Sequence, residues 1–331
     1  MFPWHEAIFE QLVATKAALP HALLLKGARG IGKLAFARAM AKALLCESPV
    51  AGGAACGVCS ACLWFEQASH PDYRQIEPAS EAEGDADEAE KKSVSIAVDQ
   101  IRILPDFINM SSHRGGAKVV VIHPAEALNV NAANALLKSL EEPPPRTYFL
   151  VVTHRPHQLL PTIKSRCQQI ALPMPDRKTA GAWLADQGLR DTDLALAHVG
   201  DAPLLAAELN GTDYWGARAA FLRQLAARDF DVLSAADAIR DCPLPYAIVW
   251  LQKWAYDIAH HRVLGRVRYN PDHEATIARI AAEAGELAVL RFHRKMTRTQ
   301  RIANHPLNPR LFLEQLLFAY RDLVQPPAKA A

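Results

Sequence analysis

The chain has 331 residues, half of them hydrophobic and 22% charged, with a net charge of +2. That length gives room for two or three domains with cores of their own, and the near-neutral balance excludes the basic field of a free-standing nucleic-acid binder. No apolar run approaches the roughly 18 residues of a membrane helix; Met1–Leu12 is broken by His5, Glu6, Glu10 and Gln11 and lacks a secretory signal's apolar core and cleavage site, so a cytoplasmic location is expected.

In chain order, Ala22–Lys26 is an apolar run ending at a glycine and predicts a buried strand, followed by a helical pattern over Lys33–Leu45. Glu77–Lys92 carries seven acids among small residues and predicts a surface loop. Lys118–His123, Tyr148–Thr153 and Gln168–Leu172 read as further strands. Ala132–Glu142, with Ala133, Leu136, Leu137 and Leu140 at helical spacing, reads as a helix between them. Alternation of helices with continuously apolar strands predicts an α/β domain, residues 1–172, with a parallel sheet covered on both faces. Pro173 and Pro175 close it. Beyond them the Ala- and Leu-rich sequence predicts a short helical domain, 173–210, ended by Asn210-Gly211. A larger all-helical unit follows over 211–326, and the tail Gln325–Ala331 is expected to fray.

The first strand runs into Gly27-Ala28-Arg29-Gly30-Ile31-Gly32-Lys33-Leu34, which has the spacing of a phosphate-binding P-loop. Glycines let backbone N–H groups converge on phosphate, and Lys33 adds a full positive charge. The next position should carry a hydroxyl for Mg²⁺, but Leu34 stands there. A hydrolysing P-loop protein also needs carboxylates at the end of a second strand. Here the strand ends in His123-Pro124-Ala125-Glu126, and Glu126 stands three or four residues too late. Two losses in one site argue against hydrolysis, while Gly27, Gly30, Gly32 and Lys33 leave ATP or ADP binding open.

Of six cysteines, Cys46, Cys56, Cys59 and Cys62 fall within 17 positions. CxxCxxC spacing with an upstream fourth thiol suits one tetrahedral ion, so residues 46–62 predict a zinc-binding insert. With every position filled by protein, the zinc would be structural. An iron–sulfur cluster is the competing ligand set, but no other redox motif accompanies the four thiols. Cys167 and Cys242 read as buried small residues.

Ser165-Arg166-Cys167 stands just before the last strand, at a rim where a neighbouring subunit's nucleotide can be presented. Arg291, Arg294, Lys295 and Arg298 fall at i, i+3, i+4 and i+7 and read as a solvated basic face in preference to a set of phosphate contacts. Trp250 and Trp254 share helical spacing and read as packing residues.

The degenerate P-loop, the four cysteines, the run Asn129-Val130-Asn131-Ala132-Ala133-Asn134-Ala135-Leu136-Leu137-Lys138-Ser139-Leu140-Glu141-Glu142-Pro143-Pro144 and Ser165-Arg166-Cys167 together resemble the bacterial clamp-loader AAA+ family. The resemblance is strong over residues 1–172 and weaker beyond, where His305-Pro306-Leu307-Asn308-Pro309 and Leu311–Leu317 look like the family's C-terminal collar helix. It implies an AAA+ domain, a helical lid over 173–210 and an oligomerising collar over 211–326. The implied partners are motor subunits of gamma/tau type and a delta subunit, with the sliding clamp and primer-template DNA reached through the complex. The work would be clamp loading for the replicative DNA polymerase III holoenzyme, a nucleotidyltransferase. The hydroxyl-free loop and carboxylate-free strand end resemble the family's non-hydrolysing branch. The alternative is an active gamma/tau-like motor ATPase with unusual metal ligands. By resemblance, Arg166 is an arginine finger acting in trans and Thr153 holds a sensor position.

Overall fold

A computed structural model describes residues 1–78, 95–113, 116–299 and 308–325. Most of the acidic run, the residues 305–307 of the collar-like motif, and the tail beyond Gln325 lie outside the described residues. The chain divides into two compact units, Met1–Pro175 and Asp176–Ala331.

The first unit is built on five parallel strands: β1 (Ala22–Lys26), β2 (Tyr73–Ile76), β3 (Lys118–Ile122), β4 (Thr147–Thr153) and β5 (Gln168–Ala171), in the order β2-β3-β4-β1-β5. The expected parallel sheet is therefore present. β2 was not legible as a strand, because its Tyr-Arg-Gln-Ile sequence is polar and partly exposed at the sheet edge. The sheet's two faces follow from the two-residue period of strands. Leu23, Leu25, Val119, Val121, Leu150 and Val152 face helix Lys33–Leu45, whose Phe36, Ala37, Met40 and Leu44 cover them. Ala22, Leu24, Val120, Ile122, Phe149 and Val151 face the other way, against helix Val130–Glu141 through Ala132, Ala133, Leu136 and Leu140. The α/β class thus rests on strands buried from both sides, which is why they read as unbroken apolar runs.

Lys118 is a cation inside this sheet. Its ammonium pairs at 3.1 Å with Asp72, both side chains under a tenth exposed, and lies 4.5 Å from the centre of the Phe107 ring. Asp72 also accepts the His113 N–H, so the buried pair is hydrogen-bonded on more than one side.

The second unit is helical throughout its described residues. A small cluster of Ala180, Leu184, Leu189, Ala195, Leu196 and Ala206 joins helices Arg177–Asp186, Thr192–Val199 and Pro203–Asn210. A larger cluster surrounds the 21-residue helix Leu244–Leu264, where Trp250 and Trp254 are fully buried. They are packing residues, as their spacing predicts. Trp254 Nε1 donates to the Tyr320 hydroxyl (3.1 Å), which donates to the Leu225 carbonyl (2.6 Å). Arg291, Arg294, Lys295 and Arg298 stand exposed on helix Glu286–Thr299 beside Phe312, Gln315 and Leu316.

A buried polar network ties the helices of this unit. Arg218, 2% exposed, donates to both oxygens of Asp272 (2.8 and 2.9 Å), to Asn270 Oδ1 (2.9 Å) and to His198 Nδ1 (3.3 Å). A guanidinium only donates, so His198 Nδ1 must accept and its proton sits on Nε2, facing the Tyr214 hydroxyl at 2.8 Å. Burial first, then the charges of Lys253 and Arg218, push the His198 pKa down to about 2. The unfolded chain, with an ordinary histidine pKa near 6.5, therefore takes up this proton before the folded one does. The stabilisation is present above about pH 6.5 and is lost on acidification, at about 1.4 kcal/mol per pH unit per such group. We expect urea unfolding between pH 7 and pH 5 to lose less stability in His198→Gln than in the wild type, the difference amounting to about one proton. Identical pH slopes in the two proteins would show that His198 is not held neutral.

Candidate functional site: phosphate loop, rim arginine and cysteine centre

β1 feeds directly into the glycine loop, and helix Lys33–Leu45 leaves it. Gly30 (φ 79°) and Gly32 (φ 92°) occupy left-handed backbone, and Gly32 caps the helix. This is the loop-to-helix geometry expected of a P-loop. Lys33, however, is 2% exposed, and its ammonium turns back to donate to the Ala28 carbonyl of its own loop at 2.5 Å. Burial pushes the Lys33 pKa down to about 8, against an opposing pull from Glu126. Leu34 packs against the core under the sheet, so the position that would offer Mg²⁺ a hydroxyl offers hydrocarbon.

The parallel register sets Lys26 of β1 opposite Thr153 of β4, and Ile122 of β3 opposite Val151. The strand ends carrying the loop, His123 and Thr153 therefore gather at one edge. Thr153 is fully buried; its hydroxyl donates to Glu126 Oε2 (2.8 Å) and accepts from the Arg155 N–H (3.1 Å). Both Glu126 oxygens also accept from the His154 N–H, at 3.0 and 3.2 Å. Along the chain, Glu126 stands three or four residues past the strand end. The turn Ala125–Ala127 instead returns its carboxylate to the strand ends, where donors from β4 and just beyond engage it. The His123 and His154 rings meet edge to face at 5.2 Å. Burial, ahead of the Lys33 charge, takes His154 down to about 4, and burial lowers His123 as well. Both imidazoles are thus held towards the neutral form at the ends of β3 and β4.

Arg166 ends helix Pro161–Arg166 at the rim, with its side chain 31% exposed. Its guanidinium pairs with Glu141, through Nε at 2.7 Å and a shorter contact from Nη2, and Nη1 donates to the Thr162 carbonyl at 3.0 Å. The Glu141 partner was not foreseen. It belongs to the Ser139–Glu142 stretch that the sequence marked only as a family motif. Cys167 is buried, and burial pushes its thiol up to about 11.

The four cysteines converge. Cys46 caps the C-terminus of helix Lys33–Leu45, Cys59 precedes helix Ser60–Glu66, and Cys62 lies in that helix's first turn. All four Sγ atoms fall within 4.8 Å of one another, with Cys46 and Cys59 at 3.9 Å. A tetrahedral ion about 2.3 Å from each sulfur sets sulfur–sulfur distances near 3.8 Å, so the arrangement fits a zinc-sized ion. The Cys56 N–H donates to Cys46 Sγ and the Cys59 N–H to Cys56 Sγ, both at 3.3 Å, as backbone donors do around metal thiolates. Desolvation works against ionising Cys59, yet hydrogen bonds from the Cys62 and Glu47 backbone and from the Cys62 and Cys56 side chains outweigh it and hold its pKa at about 6. The cluster can hold a metal such as zinc. No helix is long and apolar enough to cross a membrane among the described residues.

A family model described as "DNA polymerase III, delta subunit" matches residues 4–176. The DNA polymerase III subunit delta' of Pseudomonas aeruginosa is 37% identical over 345 residues, covering 98% of this chain and 99% of that protein. The subunit of the same name from Escherichia coli K12 is 34% identical over 269 residues, covering 78% and 77%. The tau subunit of DNA polymerase III from Escherichia coli K12 is 38% identical over 152 residues, 46% of this chain and 21% of that protein. Matched along nearly its whole length at this identity, the chain belongs to the DNA polymerase III subunit delta' family.

Proposed function

We propose that this chain is the non-hydrolysing AAA+ subunit of a bacterial clamp loader, which supplies Arg166 in trans to the nucleotide of an adjoining motor subunit and helps load the sliding clamp onto primed DNA. The observation that carries this reading is the contrast between two sites. The chain's own phosphate loop has its lysine turned inward and hydrocarbon at the magnesium position. Arg166, by comparison, stands partly exposed at the rim of the same unit. A guanidinium at such a rim stabilises the charge that develops on a transferred γ-phosphate. Glu141 pairs with it, and an ion pair this exposed contributes only about 0–1 kcal/mol to stability. Exchanging Glu141 for a phosphate therefore costs little. Thr153, spent on Glu126, has no role in hydrolysis here and serves to close the strand ends. The helical second unit supplies the lid (173–210) and the collar (211–326) through which the chain joins gamma/tau-type and delta subunits.

The cysteine centre is structural zinc in this reading. Four protein thiolates leave no open position for chemistry, and the ion pins the end of helix Lys33–Leu45 to helix Ser60–Glu66.

Two outcomes are expected. Purified chain carries about one zinc per molecule, and Cys59→Ser lowers metal content and loosens residues 46–70 without unfolding the sheet; structural zinc contributes about 10 kcal/mol or more in small peptides, and a domain with its own core depends on it less. Elemental analysis finding no zinc in chelator-free protein rules the centre out. In a reconstituted loader, Arg166→Ala leaves folding, zinc and assembly intact and removes part of the DNA-stimulated ATPase. Each finger is worth about 10³–10⁵ at its own site in GTPase systems, but the loader's other ATP sites keep theirs. Arg166→Lys rescues poorly, because ammonium keeps the charge and loses the planar fork. Full ATPase per assembled complex from Arg166→Ala, together with a lower melting temperature, would reduce Arg166 to a local anchor for Glu141.

A further inference from the structure

The phosphate loop is covered by a segment that no motif in the sequence pointed to. The turn Pro3–His5 and the residue before it lie along the loop. The Phe2 and Trp4 rings stack at 5.0 Å and 7°. Trp4 Nε1 donates to the Ile31 carbonyl at 2.8 Å. A methyl group built on Gly32 would come within 2.3 and 2.5 Å of Phe2 Cδ2 and Cε2, so the ring rests on the bare α-carbon of Gly32. His5 is fully buried, edge-on to Phe36 at 5.5 Å, and the Phe9 ring meets Phe36 edge to face at 6.0 Å.

We infer that the standing occupant of this loop is the chain's own N-terminal strap, Phe2–His5, and that the strap and nucleotide compete for it. In a working P-loop, glycine clears the way for phosphate and lysine reaches out to it. Here the open side of Gly32 receives an aromatic ring, and the ring-facing carbonyl of Ile31 receives an indole N–H. Lys33 satisfies the Ala28 carbonyl within the loop. The missing side chain of Gly32 is thus explained without nucleotide, because the Phe2 ring takes the space a methyl group would fill. Apolar area and the Trp4–Ile31 hydrogen bond contribute to holding this strap, and lifting it exposes two aromatic rings and the buried His5 to water.

The inference rests on reading the loop as non-hydrolysing, but it is tested on the isolated full-length chain, with no turnover and no partner subunit. Its failure is therefore separate from any failure of the Arg166 assignment. In the first arm, Gly32→Ala is made in the wild-type and Phe2→Ala backgrounds. The methyl group clashes with the ring only when the ring is present, so the folded-to-unfolded ratio falls at least tenfold further in the wild-type background. An equal fall in both backgrounds overturns the strap's seat on Gly32. In the second arm, backbone hydrogen exchange of residues 2–5 and 27–34 is followed without and with millimolar Mg-ADP. This arm also stands if Gly32→Ala fails to fold. Phe2→Ala/Trp4→Ala speeds exchange across 27–34 at least tenfold. In the Phe2→Ala/Trp4→Ala variant, millimolar Mg-ADP protects the loop, whereas in the wild type it does so only while releasing the strap, as competition requires; Mg-ADP leaving the variant's loop unprotected overturns the competition. Protection of the loop by Mg-ADP with residues 2–5 still slow to exchange would show both bound together and would overturn the inference.

Discussion

The parallel register of β1, β3 and β4 is the constraint on which the rest of the first unit depends. Because Lys26 sits opposite Thr153 and Ile122 opposite Val151, the ends of three strands open onto one edge. In open α/β sheets this carboxyl-end edge is where ligands bind. The register is fixed in turn by burial on both faces: a slip of one residue would turn Leu24 and Val120 away from helix Val130–Glu141 and drive Leu23 and Val119 towards it. Everything of functional interest in this unit is hung on that edge or on the helices that cover it.

In the proposed role, what hangs there is a phosphate loop that departs from a hydrolytic site in four places. Leu34 replaces a hydroxyl with hydrocarbon and joins the core. His123 stands at the end of β3 where a carboxylate would be needed, and burial holds both it and the neighbouring half-buried His154 towards the neutral form. Glu126 reaches the site and is engaged by Thr153 and the His154 N–H. Lys33 is desolvated and turned inward. Each change is local, yet all four favour the same outcome: a loop stabilised as structure. At the rim of the same unit Arg166 stands partly exposed, paired with Glu141.

The fold and the cysteine centre were legible because their signals are short-range. The buried strands are continuous apolar runs, and three of the cysteines lie at two-residue gaps that one helix start can gather. The P-loop glycines were legible for the same reason. β2 was not, since an edge strand with Arg74 and Gln75 need not be apolar. The contacts of Glu126 with Thr153 and His154 were not legible, because distance along the chain ignores the turn that brings the carboxylate back. The Arg166–Glu141 pair joins residues 25 positions apart, and the Trp4–Ile31 contact joins residues 27 apart. Neither has a periodicity to betray it. Asp72 with Lys118, and Arg218 with Asp272, belong to the same class: long-range polar pairs that only the folded packing brings together.

In the proposed role this chain acts on a neighbour's nucleotide and hydrolyses none of its own. The most direct measurement is magnesium-dependent ATP hydrolysis by the isolated, zinc-loaded full-length chain, with Lys33→Ala and Leu34→Thr measured alongside. The account predicts no turnover above background in any of the three, since Leu34→Thr restores a hydroxyl but leaves His123 where the strand-end carboxylate is needed. Turnover by the wild-type chain that Lys33→Ala abolishes would contradict it and would make this subunit a motor.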